Sequence, residues 1–225
     1  MSAPPIDRHF ALRKLHSLLG VVPIGAFLAF HLFENSLASP LHGLSAAQWT
    51  EDVVMKIDRL PYILVAEILL IALPILFHGI YGAIIWFEGR ANPGRYGYFR
   101  NWMYVLQRIA GAIAFVFILT HVWQTRVQVL LGQVSKEQLY ERMATLFSSP
   151  AQQAWYAVGI LAAVVHFVNG LWLVGITWGL TTAPRAQRLA TVVWACAGVL
   201  LLLLGGLALF GFQAVTTAGG HLALR

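Results

Sequence analysis

Five apolar runs, each of at least the roughly 20 residues that a helix needs to cross the hydrocarbon core of a bilayer, constrain this 225-residue chain more than any other feature. They fall at 18–37, 63–87, 104–123, 155–178 and 191–212. They predict an all-α integral membrane protein, a five-transmembrane-helix bundle forming a single membrane domain over 1–225. In lipid the backbone must satisfy its own polar groups, which a helix does within one segment. Only 11% of the residues are charged, against about 25% in a soluble domain, so such a chain cannot hide its apolar surface from water. The first run follows Arg8, Arg13 and Lys14 and ends in no small-residue cleavage pattern, so it is expected to be a retained helix rather than a signal peptide.

Basic residues set the expected orientation. Arg8, Arg13 and Lys14, then Arg90, Arg95 and Arg100, then Arg185 and Arg188 crowd the segments on one side of the membrane. The positive-inside rule puts that side, with the N-terminus, in the cytoplasm and the C-terminus outside. The formal charge of +6 thus reports topology and contact with anionic membrane lipid, and no nucleic acid partner is expected. Cys196, the only cysteine, excludes an internal disulfide, an iron–sulfur cluster and a C-x-x-C-H haem attachment.

Ionisable side chains inside a membrane are costly and mark functional sites. Four of the eight histidines lie there: His31, His78, His121 and His166, one in each of the first four runs. A single such residue is more often a packed side chain bonded to a neighbouring helix. Four together repeat a pattern: His31-Leu-Phe-Glu34 resembles His121-Val-Trp-Gln124, and His78-Gly-Ile-Tyr-Gly82 resembles His166-Phe-Val-Asn-Gly170. Independent packing histidines have no reason to recur in this order. Gly82 and Gly170, one turn past their histidines, would let a flat macrocycle approach the backbone, or would simply allow helices to pack closely.

Counted at 1.5 Å per residue from the cytoplasmic ends, His78 lies about 14 Å deep, His166 about 18 Å, His31 about 20 Å and His121 about 26 Å. This depth order and the repeat together favour an inner pair, His78 with His166, and an outer pair, His31 with His121. A bare metal would need more ligands at each level, whereas a haem brings four nitrogens and asks for two axial ones. Two b-type haems are therefore the expected cofactors, with both axial positions taken and no site open for dioxygen. Haem propionates need cations near a membrane face. Arg108 is the sharpest candidate, with Arg13 and His16 as further ones whose alternative is interfacial anchoring. Glu67, 11 residues before His78, falls within about 20° of the His78 face at 100° per residue. Its carboxyl is expected either to exchange a proton with a quinol, its pKa raised by burial, or to make a structural hydrogen bond. Glu34, three residues past His31, could serve the same purpose or mark a helix end.

The stretches 13–32, 100–123, 148–172 and 183–188, with the motifs around all four histidines, resemble the di-haem cytochrome b subunit of succinate dehydrogenase and fumarate reductase complexes, the succinate:quinone oxidoreductases. The resemblance implies a multi-pass anchor in the cytoplasmic (inner) membrane. It implies flavoprotein and iron–sulfur subunits held on the cytoplasmic face, electrons exchanged with a quinone, typically menaquinone, and no dicarboxylate active site on this chain. It also implies that the four histidines ligate the haems in the pairs given above. Some members carry a glutamate two residues before the fourth-helix histidine; Val164 stands there, which puts a proton pathway through that place in doubt. The competing readings are the cytochrome b subunit of a hydrogenase or formate dehydrogenase, and a haem-free transporter or scaffold.

Overall fold

A computed structural model describes residues 8–90 and 93–217, with side chains through Gln213. Among these residues the chain is helical with connecting turns and has no strand. Five helices are long and apolar enough to cross a membrane: Arg8–Ser36, Ile63–Glu88, Phe99–Leu130, Pro150–Thr177 and Pro184–Gln213. They are the first to fifth helices below.

Three of them depart locally from the α-helix, and proline explains two of the places. In the first helix the α-helix stops at Val21 and restarts at Pro23, because a mid-helix proline removes one hydrogen bond and its ring crowds the carbonyl four residues back. In the second helix the turn Ile68–Ala72 widens to a π-helix just before Pro74, which relieves the same clash. A further π turn, Trp123–Val127, lies past His121 in the third helix.

The helices form a ring. The fourth packs along the third and the fifth, the fifth along the first, and the first along the second. Between the second and third the backbones touch least, and arginines cross the seam. Arg126 binds Glu67 at one end, and Arg108 donates to the backbone carbonyls of Ile85 and Gly89 at the other, 3.1 Å each.

Residues 38–60 and 131–147, which lie between the spanning helices, fold into short helical turns that cap one end of the ring. Ser45 and Gln48 exchange backbone and side-chain hydrogen bonds to start the turn Ala46–Trp49. Trp49, Val53, Tyr140, Met143 and Phe147 then pack with Phe117, Tyr156 and Phe212 of the bundle. Phe147 and Phe212 are almost wholly buried, and each contributes about 2 kcal/mol. Burial also pushes the Tyr140 phenol up. Lys136 on one segment binds Asp58 on the other. The third helix therefore runs to Leu130 rather than stopping near 123: Gln124 and Arg126, which ended the apolar run, find polar partners inside the fold.

Candidate functional site

The four intramembrane histidines meet in two facing pairs. His31 and His121 have ring centroids 5.7 Å apart with planes at 71°. For His78 and His166 the values are 5.9 Å and 88°. Each pair joins opposed helices across the interior. The second pair lies toward the basic end of the bundle, beside His16, and the first toward the capped end, beside Phe117 and Tyr156.

What surrounds the rings decides which nitrogen is free. His78 Nδ1 lies 2.9 Å from the backbone carbonyl of His16 and so donates to it. His166 Nδ1 donates in the same way to the carbonyl of Gln107, 2.9 Å away. Gln107 in turn donates to the His166 carbonyl at 3.1 Å and accepts from Asn169 at 2.8 Å. His121 Nδ1 is 3.2 Å from the Tyr156 hydroxyl. With Nδ1 carrying the proton, Nε2 keeps its lone pair, which is how a metal-binding imidazole is held by its outer partner. His31 differs: the Asn35 amide, 3.4 Å from its ring, makes its good bond of 2.8 Å to the His31 backbone carbonyl.

A metal ion between two opposed imidazoles, at about 2 Å per bond, needs ring centroids about 6 Å apart, so each pair is spaced to hold one ion. Among the described residues no cluster of three or more His, Cys, Asp or Glu could hold a metal. Two imidazoles per level suit a group that brings its remaining ligands with it.

Glycines make room for two of the histidine rings. A Cβ on Gly111 would sit 2.7 Å from the His166 ring, and one on Gly20 would collide with His78. A Cβ on Gly82 would instead meet His16 Nε2 at 3.1 Å, and one on Gly170 would make only ordinary contact with Gln107. Gly20 and Gly111 precede their own helix's histidine by 11 and 10 residues, a second element of the repeat that could have identified them.

The remaining candidates separate into three groups. His16 stacks on His78 with centroids 3.9 Å apart and planes at 8°. Arg13 donates to Glu88 at 2.9 Å and to His9 at 3.2 Å, and the Tyr81 hydroxyl lies 2.8 Å from His9 Nδ1. Arg108 lies over the Tyr104 ring and supplies donors to the carbonyl end of the second helix, a placement favourable for a cation.

Glu67 faces the third helix, where one carboxylate oxygen accepts from both Nε and Nη2 of Arg126, at 2.9 and 2.6 Å. Arg126, five residues past His121, is a partner that the apolar pattern hid. Glu34 lies in the last turn of the first helix beside Trp49, whose indole donates to the Glu34 carbonyl at 3.2 Å. Val164, 1% exposed, packs against Leu32 and Leu201, so an apolar contact fills that place.

Comparison with known proteins identifies relatives of the chain. The family model described as succinate dehydrogenase/fumarate reductase transmembrane subunit matches residues 90–205. The succinate dehydrogenase cytochrome b558 subunit of Bacillus subtilis is 41% identical over 206 residues, which covers 92% of this chain and 98% of that relative. No solved structure matches the chain.

Proposed function

The chain belongs to the succinate dehydrogenase/fumarate reductase transmembrane subunit family, and from that premise we propose that it is a di-haem b anchor linking an iron–sulfur subunit to a membrane quinone. The observation that carries this reading is the two facing histidine pairs at different depths. His78 and His166 would hold the inner haem and His31 and His121 the outer one. When bound, the haems supply one-electron transfer at two levels of a core about 30 Å thick.

The chain's own residues do the rest. The carbonyls of His16 and Gln107 hold the inner imidazoles in one tautomer and one orientation. The basic end, rich in arginine, faces the cytoplasm and the flavoprotein and iron–sulfur partners. The protein is then a multi-pass component of the cytoplasmic membrane with its C-terminus outside. At the capped end Glu67, positioned by Arg126, exchanges a proton with the quinone/quinol couple as electrons pass, and Glu34 lies on the same side. The family resemblance favours menaquinone as that quinone.

Purification of the intact complex tests the proposal. A large flavin-bearing partner should co-purify, succinate should reduce part of the dithionite-reducible b absorbance, and a quinone analogue should be reduced at the expense of succinate. Absence of a flavoprotein, or of succinate-driven haem reduction, overturns it.

Arg108 has unused N–H donors beyond its two carbonyl contacts and is proposed to face the inner propionates. Arg108→Ala should retain both haems and lower the inner potential by about 1 kcal/mol, roughly 40 mV for one electron. A redox titration checks this. A residue that only caps the second helix would leave both potentials unchanged.

A further inference from the structure

We infer that Tyr156 is the positioning residue of the outer centre, fixing the proton of His121 and setting that centre's reduction potential through a directed chain of side chains. The inference rests on the reading of His121 as an axial ligand.

Each of the four facing histidines has a partner at Nδ1, but the partners differ in kind. His78 and His166 bond backbone carbonyls, which no substitution at those positions removes. His31 has only a long contact of 3.4 Å from the Asn35 amide, whose good bond goes to the backbone, whereas His121 bonds a side-chain hydroxyl, that of Tyr156, at 3.2 Å. A phenol can donate or accept, so on its own this contact would not fix the tautomer. Its surroundings do. Tyr156 donates its single proton to Gln124 Oε1 at 3.1 Å, and the Gln124 amide nitrogen donates onward to Gln152 Oε1 at 3.3 Å. With the hydroxyl proton committed to Gln124, Tyr156 offers His121 only a lone pair, and His121 must bring the proton on Nδ1.

The chain is also rigid. Tyr156 is 3% exposed, clamped edge-on between Phe117 and Phe147 at 5.1 and 4.8 Å. Gln124 is anchored from its backbone as well, its carbonyl accepting from Arg142 at 3.2 Å. Gln124 and Gln152 sit on the third and fourth helices, so the chain ties the two helices together at the level of His121.

An imidazole that donates Nδ1–H is a more basic ligand at Nε2 and so favours the oxidised, more positive iron. Removing the acceptor therefore raises the outer potential and leaves the inner one alone. Outer-partner substitutions at metal sites change affinity by about 10- to 100-fold. The expected change for Tyr156→Phe is about tenfold in the reduction equilibrium of the outer haem, which is 59 mV for one electron.

The test is a potentiometric titration of the purified complex, wild type against Tyr156→Phe, Gln124→Leu and the double variant. Phenylalanine keeps the ring packing and removes only the hydroxyl. Gln124→Leu frees the tyrosine proton from its acceptor and should move the outer potential the same way. The double variant should go no further than Tyr156→Phe, because Gln124 acts through the tyrosine. A purely packing role predicts no shift, or equal shifts of both centres, and either result overturns the inference. If Tyr156→Phe costs the complex its outer haem, Gln124→Leu reads the same chain with the tyrosine in place, and an unmoved outer potential there also overturns it. Fewer than two redox steps in the wild type would defeat the underlying di-haem reading instead.

Discussion

Replacing His31 or His121 by alanine should produce one spectroscopic phenotype, and replacing His78 or His166 a second. Loss of one axial imidazole opens a coordination position on the iron that it served, and the facing pairs assign each histidine to one level. The outer variants should lose quinone reduction altogether while succinate still reduces the inner haem. The inner variants should stop electrons arriving from the cytoplasmic partner, so neither haem is reduced by succinate although dithionite still reduces what remains. Low-temperature optical and EPR spectra of the four single variants sort them. Resemblance of His31→Ala to His78→Ala or His166→Ala, rather than to His121→Ala, would show that the ligands pair differently.

The second large effect is expected at Glu67. A positioned general acid or base contributes roughly 100- to 10,000-fold, so Glu67→Gln should cut succinate-driven quinone reduction by about 100-fold or more, with both haems present and still reduced by succinate. The ion pair with Arg126 complicates a simple reading, because the variant leaves a guanidinium without its anion, itself a destabilising change. Glu67→Gln combined with Arg126→Gln separates the two causes. If the carboxyl only neutralises Arg126, the double variant should recover activity. If it carries the quinol proton, activity should stay low. Turnover with a quinone analogue, measured beside haem content, distinguishes them.

Much of this arrangement was legible in the sequence, for reasons that also explain what was not. The helices follow from apolar runs long enough to span lipid, and the partners of His31 and His78 follow from the repeat that makes the first and third helices equivalent, and the second and fourth. The phase of Glu67 was less secure. Counting 100° per residue from His78 assumes an unbroken α-helix, but the π turn Ile68–Ala72 lies between them. A π turn takes about one extra residue, and Glu67 consequently meets the third helix.

Arg126 was hidden for a related reason. An apolar window ends at the first polar cluster, whereas the third helix continues through Gln124 and Arg126 because both are partnered within the bundle. Arg108 has a second role that its charge does not reveal. A guanidinium inside a membrane needs acceptors, and the free carbonyls at a helix C-terminus supply them as well as a propionate does. The aromatic cap from Trp49 to Phe147 had no periodic signature, since its turns are too short to show one.

On the proposed reading each chain holds two haems, each between two of these four histidines. A pyridine haemochrome assay against protein concentration on the purified wild-type complex measures it directly. Two b-type haems per copy of this chain are expected, falling toward one when a single member of either pair is replaced and that haem is lost. A ratio of one in the wild type, or no haem at all, would contradict it.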